Sequence, residues 1–133
     1  MAARPRGGFM RILVAEDERI NQLYMSHLLS DAGHEPVVAG DGREAIDKLA
    51  AQPCDVVLMD LQMPGIDGVE ATRRIRAGEA GEDRADVPII ALTAYASDDD
   101  HRKQANVGID WSLSKPVNEQ ELLALLEEAR SRE

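Results

Sequence analysis

Glu16-Asp17, Asp60, Thr93 and Lys115 stand where four short β-branched or apolar runs stop. The runs are Ile12 to Ala15, Val56 to Met59, Val87 to Leu92 around Pro88, and a shorter one around Leu113. Stretches with helical spacing separate them, and this β-α alternation implies parallel strands joined by crossover helices. In an open parallel sheet, groups at the strand carboxyl ends gather in the crevice where strand order reverses, which is where ligands bind. Three carboxylates, a hydroxyl and an ammonium gathered there suit a divalent cation and a phosphoryl group. A carboxylate can take a phosphoryl group as an acyl phosphate and later lose it to water, so Asp60 is the candidate nucleophile. Such transfer asks the protein mainly for positioning and charge neutralisation. A hard ion such as Mg²⁺ is satisfied by a few carboxylates and waters. Without metal the crowded carboxylates repel one another, which should raise at least one pKa.

The same patterning places the elements that hold these groups. Strands are expected near 11–15, 35–39, 55–59, 87–92 and 110–114, and helices near 18–32, 42–51, 67–77, 98–107 and 118–130. Gly78 to Asp86, rich in charge and glycine, is expected to be a loop away from the site. Met1 to Phe9 has no periodicity and is expected to be a flexible tail or linker remnant, leaving one domain over 10–133. In the first helix Ile20, Tyr24, Leu28 and Ala32 form the expected apolar stripe, and in the last Leu122, Leu125, Leu126 and Ala129 do. The helix from Asp98 to Val107 offers only Ala105 and Val107 as apolar anchors, although Ser97 can cap it and Asp98 to Asp100 suit its dipole. It is expected to be the least firmly docked helix.

Composition bounds the rest. A chain of 133 residues with a formal net charge of -10 suits one domain and one core, and its acidity disfavours contact with a nucleic-acid backbone. No apolar run approaches the roughly 18 residues that span a bilayer, and no signal-peptide pattern is present, so a cytoplasmic location without membrane contact is expected. Cys54 is the single cysteine and is expected to be a small buried residue at the start of a strand. His27, His34 and His101 lack ligand spacing.

Taken together, Ile12-Leu13-Val14-Ala15-Glu16-Asp17, the segment Leu58 to Gly68 reading Leu-Met-Asp-Leu-Gln-Met-Pro-Gly-Ile-Asp-Gly, Ala91-Leu92-Thr93-Ala94 and Lys115-Pro116 closely resemble the receiver domain of two-component response regulators. The resemblance runs from about Met10 to about Arg130. Asn21-Gln22 and the Gln62 to Gly65 loop look most like receivers of hybrid sensor histidine kinases. The resemblance implies a doubly wound, flavodoxin-like α/β fold, with a five-stranded parallel sheet of order 2-1-3-4-5 flanked by five helices. It implies that Asp60 accepts a phosphoryl group from a histidine on a kinase or phosphotransfer domain. It further implies that Asp17, Asp60 and the Gln62 backbone carbonyl bind Mg²⁺ (Mn²⁺ as a substitute), with Glu16 acting through water. Lys115 and the Thr93 hydroxyl would each meet a phosphoryl oxygen, a cis peptide would precede Pro116, and Gln62 and Tyr95 would tune hydrolysis. Homodimerisation on activation, switching of the face around residues 94–131, and no enzymatic role beyond the domain's own phosphotransfer and dephosphorylation complete the expectation; the parent chain could still be a hybrid kinase.

One departure stands out: many receivers carry an aromatic ring three residues before the lysine, and this chain has Ser112. Trp111 cannot replace it, because adjacent strand residues point to opposite faces. Three other readings bear on the function. A flavodoxin-like cofactor binder needs a phosphate cradle where Glu16-Asp17 would repel one. An aspartate-based phosphatase typically has a second acid where Gln62 stands. A pseudo-receiver would keep the fold and act only as a docking module.

Overall fold

The computed structural model describes residues 9–94 and 98–131, with the side chains of Asp98, Asp99 and His101 left out of that description. The tail expected over residues 1–9 therefore lies outside it save for Phe9, and so do Tyr95 and the Ser97 cap. Strands β1 (Arg11–Ala15), β2 (Glu35–Ala39), β3 (Val56–Asp60), β4 (Ile89–Thr93) and β5 (Trp111–Ser114) alternate with helices α1 (Arg19–Asp31), α2 (Gly42–Ala51), α3 (Gly68–Arg76), α4 (Asp98–Val107) and α5 (Glu119–Ser131). The sheet is wholly parallel in the order β2-β1-β3-β4-β5. The chain winds first to one side of β1 and then to the other, so the crevice opens between β1 and β3.

β1, β3 and β4 are covered on both faces, which is why they read as continuous apolar runs. Leu13, Val57, Met59 and Ile89 pack with Ile46, Leu49 and Ile75 on the α2/α3 face. Ile12, Val14, Leu58 and Ile90 pack with Leu29, Leu122 and Leu126 on the α1/α5 face. Local capping starts the helices: Asp41 accepts from the Glu44 N–H at 2.7 Å and Asp67 from the Glu70 N–H at 2.8 Å. Arg76, at the end of α3, donates to the Ala85, Val87 and Gly108 carbonyls and pairs with Asp110 at 2.9 Å. One guanidinium thus ties α3 to the segments entering β4 and β5.

Several expectations need correction. On α1 the inward residues are Met25, Leu28 and Leu29, while Ile20 is 80% and Tyr24 48% exposed and Ala32 lies at the exposed end. A step of four residues turns about 400°, so a line drawn through every fourth residue drifts off one face within three steps. On α4 Ala105 is exposed and Val107 half-buried; among its described side chains the buried one is Gln104. A short 3₁₀ turn, Glu82–Arg84, interrupts the Gly78 to Asp86 loop, with the Arg84 Nε donating to the Leu49 carbonyl at 2.6 Å. Cys54 precedes β3 and is half-buried; burial pushes its thiol up to about 11, which leaves it unreactive as a thiolate.

His34 is half-buried. Its Nδ1 accepts the Met10 N–H at 3.1 Å, and burial, aided by the Arg130 charge, lowers its pKa below the ordinary value. The unfolded chain therefore takes up this proton first as pH falls. The stability tied to neutral His34 is fully present above the unfolded value near ~6.5 and is lost as pH falls from there through the lower folded value. His34→Asn keeps an acceptor at the Nδ1 position without titrating. Its melting temperature should accordingly fall less than that of the parent between pH 7.5 and 5.5; equal falls would show that His34 carries none of this dependence.

Candidate functional site

The site is built from the carboxyl ends of β1, β3, β4 and β5. β3 and β4 each run one residue beyond their apolar segments, so Asp60 and Thr93 are the last residues of their strands. Both are nearly inaccessible, at 1% and 3% exposure. One Asp60 oxygen, Oδ1, accepts the Gln62 N–H at 3.0 Å, so the aspartate makes the strand-to-turn exit with its own side chain. The other, Oδ2, lies 3.0 Å from the Lys115 ammonium, which is also 3.9 Å from Glu16 Oε1. Lys115 precedes the cis Lys115-Pro116 peptide, and its backbone N–H donates to the Thr93 carbonyl at 2.9 Å.

Just past β1, Glu16 is turned inward at 2% exposure and Asp17 is exposed at the mouth. The Glu16 N–H donates to the Ala39 carbonyl at 2.9 Å, and its Oε2 accepts the Glu18 N–H at 2.9 Å. Glu16, Asp17 and Asp60 each bring a carboxylate oxygen within 4.8 Å of the others. Burial raises the Glu16 pKa, the Glu18 N–H pulls it back, and the Asp60 charge adds to the rise. Three converging carboxylates against one ammonium leave net negative charge in a poorly solvated crevice. An all-oxygen donor set of this kind fits a hard divalent cation. Asp60 and Lys115 are thus in direct contact, Glu16 and Asp17 close the acidic cluster, and Thr93 stands beside it on β4. Gln62 enters through its N–H.

Cavities flank the site on both sides. One of about 440 Å³ lies between α1 and the turn after β5, lined by Glu16, Tyr24, Lys115 and Pro116 among others. The second, about 480 Å³, runs under α4 and is lined by Gln62, Thr93, Gln104 and Val107 among others. Two contributors escaped sequence reasoning. Gly68 brings the first turn of α3 so close to β3 that a Cβ there would sit 2.3 Å from the Asp60 carbonyl oxygen. The signal was present in the Asp67-Gly68 pair, a cap followed by the smallest residue. Gln104 gave none, being a polar residue buried on a polar helix.

A family profile described as the response regulator receiver domain matches residues 12–127. The chain belongs to the receiver domain family. This receiver is 41% identical over 112 residues to the sensor protein GacS of Pseudomonas syringae pv. syringae, covering 84% of this chain and 12% of that protein. It is 41% identical over 113 residues to hybrid signal transduction histidine kinase I of Dictyostelium discoideum, covering 81% of this chain and 6% of that one. The receiver therefore spans only a small fraction of these kinases. Among solved structures, it superposes with a TM-score of 0.81 on the receiver domain of sensor histidine kinase PA1611 from Pseudomonas aeruginosa PAO1, at 36% identity over 91% of this chain and 97% of that one. That structure holds a magnesium ion in its active-site cleft. Vibrio cholerae chemotaxis protein CheY4 gives a TM-score of 0.84 at 31% identity, covering 92% of this chain and 99% of that one. The receiver fold and its two-component signalling class are thereby established. Among the described residues no helix is long and apolar enough to cross a membrane.

Proposed function

We propose that this receiver, taken as a domain over residues 10–133, accepts a phosphoryl group on Asp60 from a phosphohistidine of a kinase or phosphotransfer domain, in a Mg²⁺-dependent step. The observation that carries the reading is the placement of Asp60, buried at the end of β3, 3.0 Å from the Lys115 ammonium and grouped with two further carboxylates. An Asp60 oxygen attacks phosphorus as the P–N bond breaks. The bonding pair leaves with the donor imidazole, which takes a proton from solvent. In the reverse direction of the signal, water attacks phosphorus, Asp60 leaves as carboxylate, and inorganic phosphate departs. Lys115 and the Thr93 hydroxyl are assigned to phosphoryl oxygens, where fixed donors offset charge without reorganising. Asp17, Asp60 and the Gln62 carbonyl would hold Mg²⁺ or Mn²⁺, with Glu16 acting through water. Bound there, the ion would supply positive charge against the phosphoryl oxygens and the carboxylates.

The donor must reach Asp60 through the crevice mouth. Ile20, Leu23 and Tyr24, all exposed on α1, form an apolar face beside that mouth, and Tyr24 also lines the cavity that reaches Lys115. We assign this face to the helical phosphodonor. Sequence likeness to hybrid kinases supports a longer parent chain that is itself a kinase, and dimerisation on activation remains part of the proposal. Incubation with acetyl phosphate and Mg²⁺ followed by intact-mass measurement should add one phosphoryl group, and chelation should prevent it. A folded protein that takes no label from acetyl phosphate or a phosphohistidine donor would leave only a docking module.

The response is assigned to α4. Its buried Gln104 is hydrogen-bonded to the Ser112 hydroxyl, which fills the place an aromatic ring would take. Gln104 also borders both the cavity that reaches Thr93 and a smaller one of about 200 Å³ beside Ser112. A helix held by a polar contact between two cavities can shift at small cost in packing. Trp111 packs with the α1/α5-face cluster instead. Adding beryllofluoride and Mg²⁺ should therefore change amide exchange mainly in residues 98–107 and leave Trp111 fluorescence nearly constant. In Ser112→Ala exchange there should already be faster at rest. Strong burial of Trp111 with α4 unchanged would reject this route.

A further inference from the structure

We infer that Gln22 is a positioning residue for the acidic pair, holding Asp17 in place for the cation through the backbone of Glu16; the inference rests on the metal site proposed above. Gln22 lies one turn into α1, and its Nε2 donates to the Glu16 carbonyl at 2.6 Å, while its own N–H donates to the Glu18 carbonyl at 2.9 Å. A peptide unit is planar, so fixing the Glu16 oxygen also fixes the nitrogen and Cα direction of Asp17. The Glu16 N–H is pinned on the other side by Ala39, 2.9 Å away. Both ends of this residue are therefore clamped, and the carboxylate of the next residue starts from a fixed point.

The clamp has work to do because Glu16, Asp17 and Glu18 are consecutive acids whose charges push the loop open. A neutral donor on the carbonyl resists that opening and itself takes up no carboxylate oxygen. Gly40, the residue after β2, lies beside the amide. A Cβ there would lie 3.8 Å from Gln22 Nε2 and 3.3 Å from Glu44 Oε1, whose carboxylate accepts the Gly40 N–H. The β1-α1 and β2-α2 turns thus meet beside one side-chain amide. Groups that orient metal ligands without touching the ion are commonly worth roughly 10- to 100-fold in affinity.

The test uses Gln22→Met, which keeps the length and loses the donor, and Gln22→Glu, which keeps the shape and sets a carboxylate against the carbonyl. Mg²⁺ affinity, read from the Mg²⁺ dependence of the melting temperature, should weaken by about tenfold in Gln22→Met and further in Gln22→Glu. Labelling by acetyl phosphate should drop at low Mg²⁺ and return to the parental rate at saturating Mg²⁺. A parent that binds Mg²⁺ and variants that bind it equally well would overturn the role of Gln22. Labelling that stays low at saturating Mg²⁺, with a lowered metal-free melting temperature, would also overturn it, by showing general damage. A parent with no Mg²⁺ response would instead remove the metal reading on which the inference stands.

Discussion

Asp60→Asn should abolish phosphoryl labelling by acetyl phosphate and by any phosphohistidine donor while leaving the domain folded. Asn matches Asp in shape and can still accept the Gln62 N–H through its side-chain oxygen, so the exit from β3 survives. An amide is not a nucleophile toward phosphorus at neutral pH, and Glu16 is buried against other groups that do not present it to the mouth. Lys115 would lose its 3.0 Å carboxylate partner but keep Glu16 at 3.9 Å. Since one of three crowded carboxylates also disappears, the metal-free stability should change little. Intact mass and a melting curve on the same sample read both halves of the prediction. Undiminished labelling of the folded variant would place the chemistry on another residue.

Gly68→Ala should lower both stability and labelling. Alanine in a helix usually gains up to about 1 kcal/mol over glycine. Here its Cβ would stand 2.3 Å from the Asp60 carbonyl oxygen and 2.8 Å from the Leu61 Cα, both backbone atoms that cannot swing away. Overpacking of this kind costs about 1–3 kcal/mol, so the clash should win. Relief requires α3 and the end of β3 to move apart, which carries Asp60 off its line to Lys115. Misplacement of a reacting group by even ~1 Å can cost roughly 100-fold in rate, so labelling should slow by about 10- to 100-fold. Gly33→Ala is the control. Gly33 has φ +89° with open space around its Cβ and sits after α1, away from the crevice, so its strain should lower the melting temperature and spare labelling. Equal labelling in both variants would show that the close approach at Gly68 does not position Asp60.

The strand ends were legible because each apolar run stops at a polar residue. Burial on both faces demands uninterrupted Val, Ile and Leu, and the break marks the edge where the sheet meets solvent. That alone sent Glu16, Asp60, Thr93 and Lys115 to one side of the sheet. The helix ranges followed from helical spacing between the strands, and the structure adds that Asp41, Asp67 and Asn118 cap three of them. The inward face of α1 was misread for a simple reason. Exposed Ile20 and Tyr24 are as apolar as buried Leu28, and hydrophobicity by itself does not tell a core residue from one on an exposed face.

Residue types and their order along the chain determined the α/β winding and the identity of the charged groups in the crevice, because periodicity and strand termination are local properties. Only the tertiary structure decided how those groups meet. The contact of Lys115 with Asp60 spans 55 positions of chain and depends on β4 lying between β3 and β5, an arrangement that no local pattern encodes. The burial of Gln104 against Ser112, the grip of Gln22 on the Glu16 carbonyl, and the need for glycine at position 68 are likewise set by distances between elements. Such distances arise from packing the whole core at once, and a polar side chain recruited into that packing carries no mark in its own stretch of sequence.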